Sequence, residues 1–281
     1  MYSINLWLFL IVIYGTCATA LYHRVYGGEN LSPEVHRYLV RLRLSFEDKR
    51  VKYESLCSGS ILSQRWIISA AHCFSDNVTV VYVEKNFGIE NHRIAEANKT
   101  GITIFPGYLK EKNNYNLYEM SINDLALLKT MKNIIFNMYT YPIELSKRSV
   151  KFGDNVIIAG YGVAECGLQI PREGIATIEP CSYPTSKLIC TQRRVRAGDG
   201  DSGGALISTG EHKLVGVVSS SCWDVELDKD CESVYVEIFP YLKWINTSIA
   251  HVINNARIDG RCNSAQCYYV LLMTSGEDIN Y

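Results

Sequence analysis

Gly200-Asp201-Ser202-Gly203-Gly204 is the stretch on which the reading of this chain turns. A serine among small residues can present its hydroxyl outward, and nearby backbone N–H groups stay free to hold an anion. An isolated serine hydroxyl is a weak nucleophile at neutral pH, so it needs a base and a third group that orients the base. The residues to look for around Ser202 are therefore a histidine and a carboxylate.

Both lie upstream. His72 sits in Ser69-Ala-Ala-His-Cys73 and Asp124 in Asn123-Asp-Leu-Ala-Leu127. Each has an ordinary structural reading on its own: His72 as a satisfied buried histidine, Asp124 as a cap at the start of a strand. A lone Gly-x-Ser-x-Gly string also arises by chance. The ordered set His72, Asp124, Ser202, each in its own setting, is what points to nucleophilic catalysis.

The surrounding pattern is β. Tyr38–Leu44 alternates apolar and basic residues, as a half-buried strand does. Trp66–Ser69, Val78–Val83, Leu125–Leu128, Asn155–Ala159, Leu214–Val218 and Ser233–Val236 read similarly. Many short strands with Gly, Asn and Pro between them predict closed antiparallel barrels or a sandwich. One helix is predicted over Phe239–Ile253, with Phe239, Leu242, Ile245, Ile249 and Val252 on one face and Pro240 at its start. An α/β-hydrolase nucleophile elbow requires a helix after the serine. Ala205–Ser208 and Leu214–Val218 read as strands instead, which excludes it.

The 281 residues suffice for one large or two small domains. With 20% charged residues and a net charge of −1, nothing indicates a nucleic-acid partner. Residues 1–20 contain the apolar run Leu6–Ile13 and end in Ala18-x-Ala20, as a secretory signal does; no later segment is apolar enough for a membrane span. A secreted, extracellular protein is expected, and ten cysteines fit an oxidising compartment. Loss of Cys17 with the signal leaves an odd number, hence a free thiol or an intermolecular bridge. Sequons at Asn30, Asn77, Asn98 and Asn246 fit a glycoprotein.

The chain resembles the chymotrypsin/trypsin-like serine proteases. The resemblance rests on Trp66-Ile-Ile-Ser-Ala-Ala-His-Cys73, Asp124-Leu-Ala-Leu127, Gly160-Tyr-Gly162, Gly200-Asp-Ser-Gly-Gly204, Ser233-Val-Tyr-Val236 and Trp244-Ile245. It runs from about Val25 to Asn255, and the His–Asp–Ser order is that of this fold. It implies an all-β protein of two six-stranded antiparallel β-barrels with a C-terminal helix. The protease domain would cover residues 25–255 with the barrel boundary near 140–150, followed by a tail at 256–281.

The resemblance also implies roles. Ser202 would attack the scissile carbonyl, His72 would carry its proton to the leaving amine, and Asp124 would orient the imidazole. The N–H groups of Gly200 and Ser202 would form the oxyanion hole. Arg24-Val-Tyr-Gly-Gly28 looks like an activation site after a propeptide at 21–24, with the freed ammonium of Val25 pairing with Asp201. Protein or peptide substrates, an activating protease and protein inhibitors are the implied partners, with no cofactor. Catalytic impairment, leaving a secreted binding or regulatory protein, is the alternative function.

Disulfides are implied for Cys57–Cys73 and Cys181–Cys190, and Val156 and Ser208 stand where many members carry a further bridge. The usual cysteine four residues before the serine is Gly198 here. Cys222 then pairs with Cys231 at the simplest, and Cys262 with Cys267, leaving Cys166 odd.

The specificity pocket would have Arg196 at its floor, walls near Ser221 and Ser233, and Asp199 at its mouth. The aspartate of trypsin-like enzymes is absent from the floor. Two readings of Arg196 stand open: a pocket that favours an acidic residue before the scissile bond, or a solvated basic loop with Arg193 and Arg194. The other histidines (His23, His36, His92, His212, His251) lack metal-ligand spacing and read as surface residues. Whether the acidic stretch Glu84–Glu96 binds calcium is left open by the sequence.

Overall fold

The computed structural model describes residues 25, 28–32, 34–48, 51–74, 77–87, 90–112, 119–162, 171–182, 187–191, 195–220 and 232–258. Residues 1–24, read from the sequence as signal and propeptide and including Arg24, lie outside them, as do Ser221, Arg193, Arg194, Cys166, residues 222–231 and the cysteines at 262 and 267.

Two antiparallel sheets build the molecule. The first has the strand order β6-β5-β2-β3-β4-β10-β7. Its members are β2 (Leu39–Asp48), β3 (Val51–Ile61), β4 (Trp66–Ser69), β5 (Val78–Asn86), β6 (Asn91–Asn98), β7 (Ile102–Ile104) and β10 (Ala126–Lys129). Its end strands β6 and β7 do not pair. A single 3-10 turn at Lys99–Gly101 joins them, and Met131 N donates to Glu96 O at 2.8 Å. The turn leaves no room for a side chain at Gly101, where a Cβ would lie 2.4 Å from Lys129 O. This sheet is a half-barrel, curled by its turn rather than closed by a ladder.

The second sheet closes. Its members are β1 (Glu29–Asn30), β11 (Asn155–Gly160), β12 (Arg172–Glu179), β13 (Leu188–Thr191), β14 (Ala205–Ser208), β15 (Leu214–Ser220) and β16 (Ser233–Glu237). Their order is β1-β12-β11-β14-β15-β16-β13, and β12 pairs with β13 as well, so six strands form a barrel with β1 added at its rim. Val156 and Ser208 face each other across β11 and β14, the place a further disulfide would have bridged.

Helix α1 (Leu242–Ile258) follows a 3-10 turn at Phe239–Tyr241 that holds Pro240, and it continues past the 255 boundary read from the sequence. Its buried residues Ile245 and Ile249, with Tyr241 of the turn, belong to the same core as the first sheet. Phe105 meets Tyr241 and Trp244 edge-on at 5.0 and 5.2 Å, an arrangement aromatic quadrupoles favour. A two-stranded sheet, β8 (Leu109–Lys112) with β9 (Glu119–Ile122), forms a separate antiparallel pair beside β15.

One core cluster runs across the seam between the barrels. It takes Leu39, Leu42, Ile68 and Leu127 from the first sheet and Ala159, Ala205, Leu214 and Val236 from the second. Tyr161 also crosses the seam: its buried hydroxyl accepts from Asn86 N at 3.0 Å. A second cluster fills the closed barrel, and Val25 is part of it.

β12 shows why some strands are hard to read. Its inward residues are Arg172, Gly174, Ala176 and Ile178, while Ile175 points out and is exposed. Gly174 is small because Val25 and Val195 fill its place: a Cβ would sit 3.1 Å from Val25 Cγ1 and 2.4 Å from Val195 Cγ1.

Candidate active site

His72 stands in the short 3-10 turn Ala71–Cys73 that ends β4. No side chain within the turn caps it. Asp124 does so from 52 residues away: its Oδ1 accepts from His72 N at 2.8 Å and its Oδ2 meets His72 Nδ1 at 2.6 Å. Two bonds to one residue fix both the place of the turn and the plane of the imidazole.

Asp124 is aimed by the residue before it. Asn123 has φ 53°, in the left-handed region that costs a side-chain-bearing residue energy. Asn123 Nδ2 donates to Gly107 O at 2.8 Å, and Tyr241 Oη donates to Asn123 Oδ1 at 2.5 Å. These partners hold the turn that leads into β10, with Asp124 buried two residues before the strand begins. The carboxylate is fully buried. Burying a charge is costly unless it is hydrogen-bonded, and Asp124 has a third donor, Ser219 Oγ on β15, at 2.6 Å.

Ser219 had no place in the sequence reading. A serine in the run Ser219-Ser-Ser gives no local sign that a carboxylate 95 residues away needs its hydroxyl. The structure alone supplies that link.

The Gly200–Gly204 loop lies against the other side of this pair. Ser202 O accepts from Ser58 N at 2.7 Å, and Cys73 Sγ is 3.8 Å from the same oxygen. That sulfur carries no proton, because Cys57 and Cys73 are disulfide-bonded. Along the loop, Asp201 N donates to Gly198 O, Gly203 N to Val218 O and Gly204 N to Asp201 O. Among the described residues Gly200 N and Ser202 N have no acceptor. Gly200 adopts φ +87° and Gly203 φ +79°, where a Cβ would be strained. The loop thus keeps two N–H groups open around one serine, the arrangement an oxyanion requires.

Ser202 Oγ and His72 Nε2 form no hydrogen bond among the described residues; Nε2 lies 4.0 Å from Cys73 Sγ. Serine–base contacts are commonly long without substrate and tighten on binding.

Asp201, next to the serine, is fully buried. Gly162 N donates to its Oδ1 at 2.7 Å and Gly198 N to its Oδ2 at 2.9 Å. The carboxylate fills the space above Gly160 and Gly162, where a Cβ would fall 2.2 and 2.7 Å from Oδ1. Val25 is fully buried in the core of the same barrel.

The proposed pocket residues are placed unevenly. Arg196 is only 9% exposed, so a solvated basic loop does not describe Arg196. Ser233 is buried with its hydroxyl accepting from Ala197 N at 2.9 Å, and Asp199 is exposed. Ser221 lies outside the described residues. Both first-choice disulfides form, Cys57–Cys73 and Cys181–Cys190.

His36 departs from the surface reading. It is 5% exposed, with Nε2 2.8 Å from Glu173 Oε2 and Nδ1 2.8 Å from Tyr38 Oη. Burial lowers its pKa against the pull of Glu173. Nothing in its local sequence reveals Glu173, which lies on the other barrel.

Within the acidic stretch Glu84–Glu96, Glu84 is engaged by arginines. Its carboxylate sits 2.8 Å from Arg43 Nε and 3.4 Å from Arg41 Nε. Calcium needs six to eight oxygen ligands, and here two guanidinium groups already hold this carboxylate. The group Cys57, His72 and Cys73 has close ligand atoms, but its sulfurs form the disulfide and offer no thiolate.

A family model described as Trypsin matches residues 25–245. The chain belongs to the trypsin family. It is a serine-type endopeptidase by that membership, and the expectation of a chymotrypsin-like fold holds, with one six-stranded barrel closed and the other sheet a half-barrel in place of a second closed one. The chain is 28% identical over 243 residues to Serine protease 1 of Homo sapiens, covering 81% of this chain and 90% of that one. It is 30% identical over 249 residues to Coagulation factor IX of Oryctolagus cuniculus, covering 79% and 83%. With Trypsin of Xenopus laevis it shares 27% over 259 residues, covering 86% and 98%. No helix among the described residues is long and apolar enough to cross a membrane.

Proposed function

We propose that this chain is a secreted endopeptidase that hydrolyses peptide bonds through an acyl-enzyme on Ser202 and is made as a precursor activated by cleavage after Arg24. The observation that carries the reading is the fully buried Asp124, which holds His72 by two hydrogen bonds at the edge of a serine loop with two unengaged N–H groups.

In this reading Ser202 Oγ attacks the scissile carbonyl carbon as His72 Nε2 takes its proton. Asp124, bonded to Nδ1, keeps that nitrogen the protonated one and favours the imidazolium that forms. The tetrahedral oxyanion is held by Gly200 N and Ser202 N, each donor contributing about 3 kcal/mol in the transition state. His72 then protonates the leaving amine, and a water repeats the sequence on the acyl-enzyme.

Cleavage after Arg24 frees the amino group of Val25. The burial of Val25 supports its use as an anchor, since burying a valine side chain contributes on the order of 2 kcal/mol. The new ammonium pairs with Asp201 and so steadies Gly200. Conversion at Arg24 leaves the protease domain at 25–255, followed by the tail from 256. Protein inhibitors and an activating protease are partners of this cycle. Asn77 and Asn98 are exposed and suit glycans on a secreted chain.

With Arg196 read as the floor of the specificity pocket, Asp or Glu before the scissile bond is favoured by charge complementarity, and the burial of Arg196 supports that reading over a solvated loop. Cleavage of a mixed peptide library by the activated protein tests this: no enrichment of Asp or Glu removes the acidic preference. The missing Ser202–His72 bond is the observation that favours a catalytically impaired, binding-only protein. Activity of the chain before and after cutting at Arg24, on one substrate, separates the readings. No hydrolysis after complete cutting would sink the endopeptidase.

A further inference from the structure

We infer that Ser58, a residue of β3 on the opposite barrel, is a positioning residue that holds the nucleophile loop in the shape that leaves Gly200 N and Ser202 N open. The inference rests on the reading of those two groups as the oxyanion hole.

Ser58 is fully buried at the seam. Its hydroxyl is 2.8 Å from Tyr161 N and 2.9 Å from Gly200 O. A backbone N–H can only donate, and a carbonyl can only accept. The hydroxyl therefore accepts from Tyr161 and must donate to Gly200. Both of its partners are main-chain groups of the other barrel, and its single proton has one place to go.

Three consecutive peptide planes make the loop. In the Gly200–Asp201 plane, the carbonyl takes the Ser58 hydroxyl and the N–H of Asp201 donates to Gly198 O at 3.0 Å. In the Asp201–Ser202 plane, the carbonyl takes Gly204 N at 2.7 Å and Ser202 N is left open. In the Ser202–Gly203 plane, the carbonyl takes Ser58 N at 2.7 Å and Gly203 N donates to Val218 O at 2.8 Å. Ser58 thus fixes the two outer planes, one by its side chain and one by its backbone.

The side-chain contact matters because of what it adjoins. Gly200 has φ +87° and no side chain, so the chain can rotate there at small cost. Such a rotation would turn Gly200 N away from the position an oxyanion takes. Fixing Gly200 O removes the rotation on one side of that hinge. The same hydroxyl ties in Tyr161, whose neighbour Gly162 donates to Asp201 Oδ1 at 2.7 Å. One hydroxyl therefore links the oxyanion loop, the Asp201 carboxylate and the first barrel.

A positioning role predicts loss in the transition state and not in substrate binding. With protein cut after Arg24, Ser58→Ala should lower kcat by about 30-fold and leave KM within about two-fold, a smaller loss than removing a direct donor. The affinity of a peptide aldehyde, whose adduct places an oxyanion in the hole, should fall by a similar factor. Ser60→Ala is the control: Ser60 lies on the same strand, and its buried hydroxyl has no hydrogen-bond partner. It should keep kcat within about two-fold. If Ser58→Ala does not fold, Ser58→Thr and Ser58→Val, equal in shape and different only in the hydroxyl, carry the comparison, with Thr the more active by about ten-fold or more. An active wild type with unchanged kcat in Ser58→Ala, or equal Thr and Val variants, overturns the role of Ser58 alone. A wild type that neither hydrolyses peptides nor binds the aldehyde overturns the endopeptidase reading and this inference with it.

Discussion

Ser219 Oγ donates to Asp124 Oδ2 at 2.6 Å, on the oxygen that also meets His72 Nδ1. The β15 strand of the closed barrel thereby fixes a carboxylate carried by the half-barrel. Ser219→Ala leaves a buried charged oxygen one donor short. A hydrogen bond to a charged group contributes about 1.5–3 kcal/mol, so kcat should drop about ten-fold or more. Steady-state kinetics on one peptide substrate, with KM unchanged within about two-fold, is the check.

Asp124→Asn keeps the size of the side chain and removes its charge. The amide can present an N–H toward Nδ1, which puts the imidazole in the wrong tautomer. A loss of about 10⁴-fold in kcat is expected, with the thermal midpoint close to that of the wild type. A loss below about ten-fold would remove Asp124 from the chemistry.

The chemistry was legible in the sequence to the extent that it sits in contiguous strings. His72, Asp124 and Ser202 each stand in a recognisable setting, and the strands β4, β11, β15 and β16 are short apolar runs that are buried along most of their length. β12 was not legible because its core side includes Arg172, Gly174 and Ala176, with Gly174 small beside Val25, while Ile175 faces outward. Ser58 and Ser219 stayed hidden for a related reason. A hydroxyl acts through whichever partner the fold brings to it, and Gly200 is 142 residues from Ser58.

Asp201 should tolerate no crowding. Gly160→Ala would place a Cβ 2.2 Å from Asp201 Oδ1, against a buried carboxylate with no room to retreat. The variant is expected to lose at least about 100-fold in kcat/KM after cutting at Arg24. Full activity in this variant would show that Asp201 does not govern the loop.

Lys85 gives the protein a pH dependence of defined sign. Its ammonium is buried, bonded only to His36 O and Leu39 O at 2.8 and 2.9 Å, and burial pulls its pKa down from 10.5 to about 7. The folded chain therefore releases this proton first as pH rises. Between about pH 7 and 10.5 the unfolded chain holds more protons, so this residue's contribution to stability increases with pH. The Tm of the wild type minus that of Lys85→Met should grow from about pH 7 to about pH 9. A difference that stays flat or shrinks contradicts the assignment.

The central claim is that Ser202 becomes a nucleophile through His72. It is tested most directly by treating the protein cut after Arg24 with a fluorophosphonate and mapping the adduct by peptide mass. The account predicts one adduct per chain, on Ser202, lost in Ser202→Ala and slowed at least about 10³-fold in His72→Ala. No adduct on the wild type, or an adduct that persists unchanged in His72→Ala, would contradict it.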